Sequence, residues 1–181
     1  MISIFATSSI MAQEKSTLDK ILDEGKLKAG IMLDFPPCGF YDDEGNPCGY
    51  EVDVANRIAD MLGVELEIVE TPGPSRIPAL KAKKVDIVFG TLAITPARAK
   101  AVSFTRPYIY NSQWVITKED SSIEEFEDIK GKTVGTVRGT TPETNLISSV
   151  EGWENEPEVK SYSSNADVLM ALRQNKVDAI A

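Results

Sequence analysis

The chain has 181 residues, 42% of them hydrophobic and 26% charged, an ordinary globular composition that excludes collagen-like, low-complexity or disordered polypeptides. Lys and Arg total 19 against 28 Asp and Glu, a formal net charge of -9, which argues against broad binding to nucleic-acid phosphates or to anionic lipid by charge. There is no histidine and there are two cysteines, so Ser-His and Cys-His nucleophiles and a four-cysteine zinc site are excluded. No metal and no cofactor are expected.

Ile2 to Ala12 carries no charged side chain, and Gln13-Glu14-Lys15 then begins a polar stretch. This predicts a secretory leader over residues 1–12; a frayed apolar N-terminus is the alternative. The run is shorter than the ~20 apolar residues of a membrane-spanning helix. Ser16 and Asp19 begin a short helix that Gly25 ends. Lys26 to Met32 reads as a strand. Asp43-Glu44-Gly45-Asn46 is a turn signal between two short extended runs. Cys38 and Cys48 lie symmetrically about Asp43, which permits a disulfide across the hairpin; two unpaired thiols are the alternative. Apolar residues at 50, 54, 58, 61 and 62 form a helical stripe closed by Gly63. A strand over Val64–Val69, a helix over Ser75–Lys84 and a buried strand over Val85–Phe89 follow. This β-α-β-α-β order predicts a parallel sheet covered by helices.

Phe104 to about Glu119 reads as a long extended connection. Its Tyr108, Tyr110 and Trp114 have no basic run around them, so packing at the connection is expected rather than a stacking platform for bases. The second half repeats the first. Strands are predicted at Lys132–Val137, Val159–Tyr162 and Val177–Ala181, with helices at Pro142–Val150 and Asn165–Asn175. Ala79-Leu-Lys-Ala-Lys-Lys-Val-Asp-Ile-Val88 lines up with Ala171-Leu-Arg-Gln-Asn-Lys-Val-Asp-Ala-Ile180, and Gly25-Lys26 echoes Gly131-Lys132. Two similar α/β lobes are expected, over residues 13–110 and 111–181. The second stops at Ala181, inside its last strand, so an incomplete second lobe is expected.

Gly49-Tyr-Glu-Val-Asp-Val-Ala-Asn-Arg-Ile-Ala-Asp-Met-Leu62 resembles the signature of the bacterial extracellular solute-binding proteins, family 3. Arg76-Ile-Pro-Ala-Leu80, Val85-Asp86, Gly90-Thr-Leu-Ala-Ile-Thr-Pro-Ala-Arg98, Phe104-Thr-Arg-Pro-Tyr108 and Gly131-Lys-Thr-Val-Gly-Thr-Val-Arg-Gly-Thr-Thr141 follow in family order and spacing. The resemblance implies a two-lobed periplasmic binding protein fold of type II that closes on an amino acid. It also implies a periplasmic location, no enzymatic activity, and an ABC import permease as partner. Arg98 matches the arginine that holds the ligand carboxylate, a role suited to a planar fork of N–H donors. Thr91 matches a position whose hydroxyl or backbone meets the ligand. Gly90 and Leu92 match positions that offer backbone groups, and Ala93 stands where many relatives carry Ser or Thr. Thr140 and Thr141 match a second carboxylate cradle, which a helix N-terminus supports physically. Phe35 matches an aromatic residue that stacks on the ligand. Arg76 sits in a block like that of acidic amino-acid binders, where it meets the ligand side chain, while Met32 replaces a second cation or acid. A polar or acidic amino acid is therefore the expected ligand. The acid that meets the ammonium aligns about two residues past Ala181, so weak or no binding is also expected. The alternatives are a dehydratase-type enzyme for arogenate or prephenate, a ligand-binding module of a sensor, and an inactive fragment that self-associates through its unfinished sheet.

Overall fold

A computed structural model describes residues 15–181. The expected leader at 1–12 lies outside the described residues. Helix α1 (Thr17–Glu24) starts as predicted from a reciprocal cap: the Ser16 side chain accepts from the Asp19 amide and the Asp19 carboxylate accepts from the Ser16 amide. Gly25 ends it in the left-handed conformation, at φ 64°, which costs glycine nothing.

Strand β1 (Lys26–Ile31) is the centre of the first sheet, and β4 (Glu65–Glu70) and β5 (Ile87–Phe89) flank it in parallel. Helix α2 (Tyr50–Leu62) packs on this sheet. Its buried face is Glu51, Val52, Ala55 and Ala59, not the predicted stripe: Tyr50 is 44% and Met61 76% exposed. The small side chains of Ala55 and Ala59 let the helix backbone approach the sheet, and the larger Val54, Ile58 and Leu62 lie on its flanks, half-buried. The core of this lobe is Ala29, Ile31, Leu33, Val52, Ala55 and Phe89, each large side chain contributing roughly 1.5–3 kcal/mol of burial.

Between β1 and α2, β2 (Phe40–Tyr41) pairs antiparallel with β3 (Pro47–Cys48). The register sets Phe40 opposite Cys48, so Cys38 is two residues away from facing it. The bridge that the symmetric spacing permitted is not formed, and both thiols are free. Helix α3 (Arg76–Lys81) is shorter than predicted and is preceded by a 3-10 turn at Gly73–Ser75. Helix α4 (Pro96–Ala99) was not foreseen. Thr95 caps it through the Arg98 amide and Pro96 fills its first position.

The second sheet repeats the first. Strand β6 (Thr133–Val137) is central, with β7 (Glu158–Tyr162) and β8 (Ala179–Ile180) in parallel on either side. Helices α5 (Thr141–Val150) and α6 (Asn165–Arg173) cover it. A Cβ on Gly135 would lie 2.8 Å from Val168 Cγ2, so α6 sits against the central strand only because that residue is glycine. The letter repeat has a structural counterpart. The Asp86 carboxylate accepts from the Lys28 amide at 2.9 Å, and that of Asp178 from the Thr133 amide at 2.7 Å. In each lobe the same aspartate amide donates back to the same residue, at 2.8 Å. Each aspartate thus extends the pairing with the central strand by one residue, immediately before the third strand begins. The Gly-Lys echo has a counterpart too: Gly25 and Gly131 both adopt the left-handed conformation, at φ 64° and 67°, just before the central strand of their lobe.

The connection is extended, and it rejoins a sheet where Ile116 bridges Ile180 through amide bonds of 2.8 and 2.9 Å. Of Tyr108, Tyr110 and Trp114, Tyr108 packs as expected, stacked on Tyr50 and edge-on to Phe89. Tyr110 and Trp114 are 88% and 74% exposed, because no element among the described residues covers that side of the connection. No helix among the described residues is long and apolar enough to cross a membrane.

Candidate functional site

A cavity of about 1610 Å³ runs between the two lobes and along the connection. Phe35, Arg76, Thr91, Leu92, Ala93, Arg98, Thr140 and Thr141 line it, as does Met32. Gly90 does not: its carbonyl accepts from Arg76 Nη1 at 2.5 Å, and a Cβ there would lie 3.0 Å from Arg76 Cδ. The glycine therefore seats Arg76, and its carbonyl is already engaged.

Arg98 is presented by α4, whose cap at Thr95 fixes the turn. Its guanidinium crosses the cleft. Nη1 donates to Ala93 O at 2.9 Å and to Thr141 Oγ1 at 3.1 Å, and Nη2 to Gly139 O at 2.9 Å. Nε–H has no acceptor among the described residues. Burial lowers its pKa from the usual arginine value, which leaves the group charged. A guanidinium held on one side by three oxygens, with donors facing a cleft, is arranged to take a carboxylate.

Arg76 is 4% exposed. Nε donates to Gly73 O at 2.9 Å and Nη1 to Gly90 O, while Nη2 has no acceptor among the described residues. No carboxylate of the described residues lies within ion-pair distance of it. Burial, with Arg98 nearby, pushes its pKa down to about 10, so it remains cationic at neutral pH. An unpaired buried cation is costly, and an anionic group entering the cleft would offset that cost.

Helix α5 supplies the facing wall. Thr140 is its N-cap, accepting from the Glu143 amide at 3.5 Å and donating to Val137 O at 2.6 Å. Thr141 is the first helical residue and meets Arg98. The cradle holds a residue that the sequence reasoning missed. Glu143 folds back so that one carboxylate oxygen accepts from the Gly139 amide at 2.7 Å and the other from the Ser161 hydroxyl. Part of the anion-attracting helix end is therefore satisfied by the protein's own carboxylate.

Thr91 adopts φ 45°, a left-handed conformation that strains a β-branched residue. Its amide donates to Glu51 Oε1 at 2.6 Å, and the Tyr108 hydroxyl reaches the same oxygen at 3.2 Å. Glu51 is fully buried and its Oε2 has no partner among the described residues. Desolvation raises its pKa above the usual value, opposed by the bonds from Thr91 and Tyr108 and by the charge of Arg76. Burial and Glu51 in turn push the Tyr108 hydroxyl up. Glu51 was also missed. Its signal was present: it is the one charged residue in the face that Val52, Ala55 and Ala59 bury. Asp34 was missed as well, and its carboxylate bonds to Asn165 across the cleft.

Two α/β lobes face each other across a cleft that holds two guanidinium groups and a helix N-terminus, the architecture of a two-lobed binding-protein fold. Residues 27–180 match the profile of the bacterial extracellular solute-binding proteins, family 3, and the chain belongs to that family. It is 30% identical over 169 residues to the L-cystine-binding protein TcyJ of Escherichia coli K12, covering 92% of this chain and 62% of the relative. The chain thus spans about three fifths of the length of such relatives. Among solved structures, a glycine-to-alanine mutant of arginine-bound ArgBP from T. maritima superposes with a TM-score of 0.83 at 35% identity, over 90% of this chain and 75% of that one. An ancestral amino acid-binding protein, AncCDT-1, described as a precursor of cyclohexadienyl dehydratase, superposes with a TM-score of 0.83 at 32% identity, over 91% and 73%. These structures have the type II periplasmic binding protein fold, as this chain does.

Proposed function

We propose that this chain is the ligand-binding part of a periplasmic amino-acid receptor that delivers its ligand to an ABC import permease, with lobes at 13–110 and 111–181. The observation that carries the reading is Arg98, reaching from one lobe to Gly139 and Thr141 of the other. A ligand carboxylate joining that contact favours closure of the lobes, and closure is the signal a permease reads. Arg76, buried with a free Nη2 on the same cleft, favours an acidic side chain, so aspartate and glutamate head the ligand class.

Calorimetric titration of the chain with the twenty amino acids tests this. A saturable heat with an acidic amino acid is expected. Arg98→Ala removes a charge-assisted bond of about 1.5–3 kcal/mol or more, so affinity should fall by at least tenfold. Binding by wild type that Arg98→Ala leaves unchanged would refute the role of Arg98.

The second reading is an enzyme of the dehydratase type, favoured by the likeness to AncCDT-1. Turnover of prephenate or arogenate by the purified chain would establish it, and binding without turnover would exclude it.

A further inference from the structure

Asp34 follows β1 in the first lobe, and Asn165 is the first residue of α6 in the second. The Asp34 Oδ2 accepts from the Asn165 backbone amide at 2.8 Å, and Oδ1 from Asn165 Nδ2 at 3.4 Å. The two residues are 131 apart in sequence, and their contact joins one lobe to the other across the cleft. The helix already has its own cap, since the Ser164 side chain accepts from the Asp167 amide at 3.1 Å. Asp34 therefore satisfies a different orphan donor of the same helix end. A carboxylate there is also favoured by the helix dipole of a nine-residue helix. Unlike the bonds of Arg98 to Gly139 and Thr141, this contact does not involve the guanidinium assigned to the ligand carboxylate. It contributes to closure through protein atoms alone.

We infer that Asp34 is a positioning residue that latches the closed form. It raises ligand affinity by favouring closure, without touching the ligand. This rests on the receptor reading above. Because the latch must open before ligand leaves, its loss acts on the dissociation rate.

Two variants remove the contact from opposite sides. Asp34→Ala removes the acceptor. Asn165→Pro removes both donors, and the helix tolerates it: proline suits a first helical position, and Ser164, at φ -144° and ψ 164°, has the extended conformation a following proline requires. Stopped-flow tryptophan fluorescence with L-glutamate as the probe reads both rates. Each single variant should dissociate about three- to tenfold faster, the range expected of a helix-terminus charge interaction. The double variant should be no faster than the singles. Solution X-ray scattering should show a larger radius of gyration for both variants than for wild type. Faster dissociation in Asp34→Ala alone would mean that Asp34 meets the ligand directly, and the latch falls. Wild-type rates in both variants overturn it equally. If wild type does not bind L-glutamate, the acidic-ligand reading fails on its own. Scattering then decides the latch: larger radii in both variants support it, and equal radii overturn it.

Discussion

Glu51→Gln isolates the cost of a buried charge. The carboxylate is fully buried, one oxygen accepts from Thr91 and Tyr108, and the other has no partner among the described residues. Desolvation raises its pKa above 4.5 in the folded protein. A raised acid binds its proton more tightly folded than unfolded, so the folded state carries the extra proton between the two pKa values. Stability then falls as pH rises through that window, by up to about 1.4 kcal/mol per pH unit, and is flat above it. Glutamine keeps the shape and an acceptor for the Thr91 amide and cannot ionise. Its stability should therefore lack this slope: near pH 4 the two proteins should differ little, and the advantage of Glu51→Gln should grow with pH. The chain suits this measurement, because without histidine no ordinary side chain titrates between pH 5 and 8. Urea unfolding of both proteins from pH 4 to 8 gives the difference directly. A difference independent of pH, or one that shrinks as pH rises, would refute the reasoning.

Two further outcomes follow from the core and the repeat. Gly135→Ala places a methyl group 2.8 Å from Val168 Cγ2, so α6 must shift, and an overpacking cost of about 1–3 kcal/mol should appear as a lower Tm. Asp86→Ala and Asp178→Ala remove matching clamps from the two sheets. Asp86 is partly buried, and its loss should cost about 1–3 kcal/mol in urea unfolding. Asp178 is exposed, so water replaces it and the cost should stay under about 1 kcal/mol.

Features carried by neighbouring residues were legible before any coordinates. The Ser16–Asp19 cap, the glycine stop at Gly25, and the strand and helix order of both lobes follow from backbone hydrogen bonding and side-chain period. These act over a few residues, so a short window contains their cause. The repeated Val-Asp also marked equivalent strands. The family blocks pointed to Arg98, Thr91, Thr140 and Thr141, all of which line the cavity.

What the tertiary structure decided is everything that depends on how distant segments meet. The buried face of α2 was misread because apolar content says which residues avoid water and not how closely a helix can approach a sheet. Ala55 and Ala59 make that approach, and they carry Glu51 inside with them. The cysteines were expected opposite each other because the sequence counts residues evenly about a turn, whereas the Phe40–Cys48 pairing fixes the register. Arg98 reaches Gly139 and Thr141, 41 and 43 residues away, and Asp34 reaches Asn165 across 131. Such contacts are set by the placement of one lobe on the other, for which no local pattern of side chains codes.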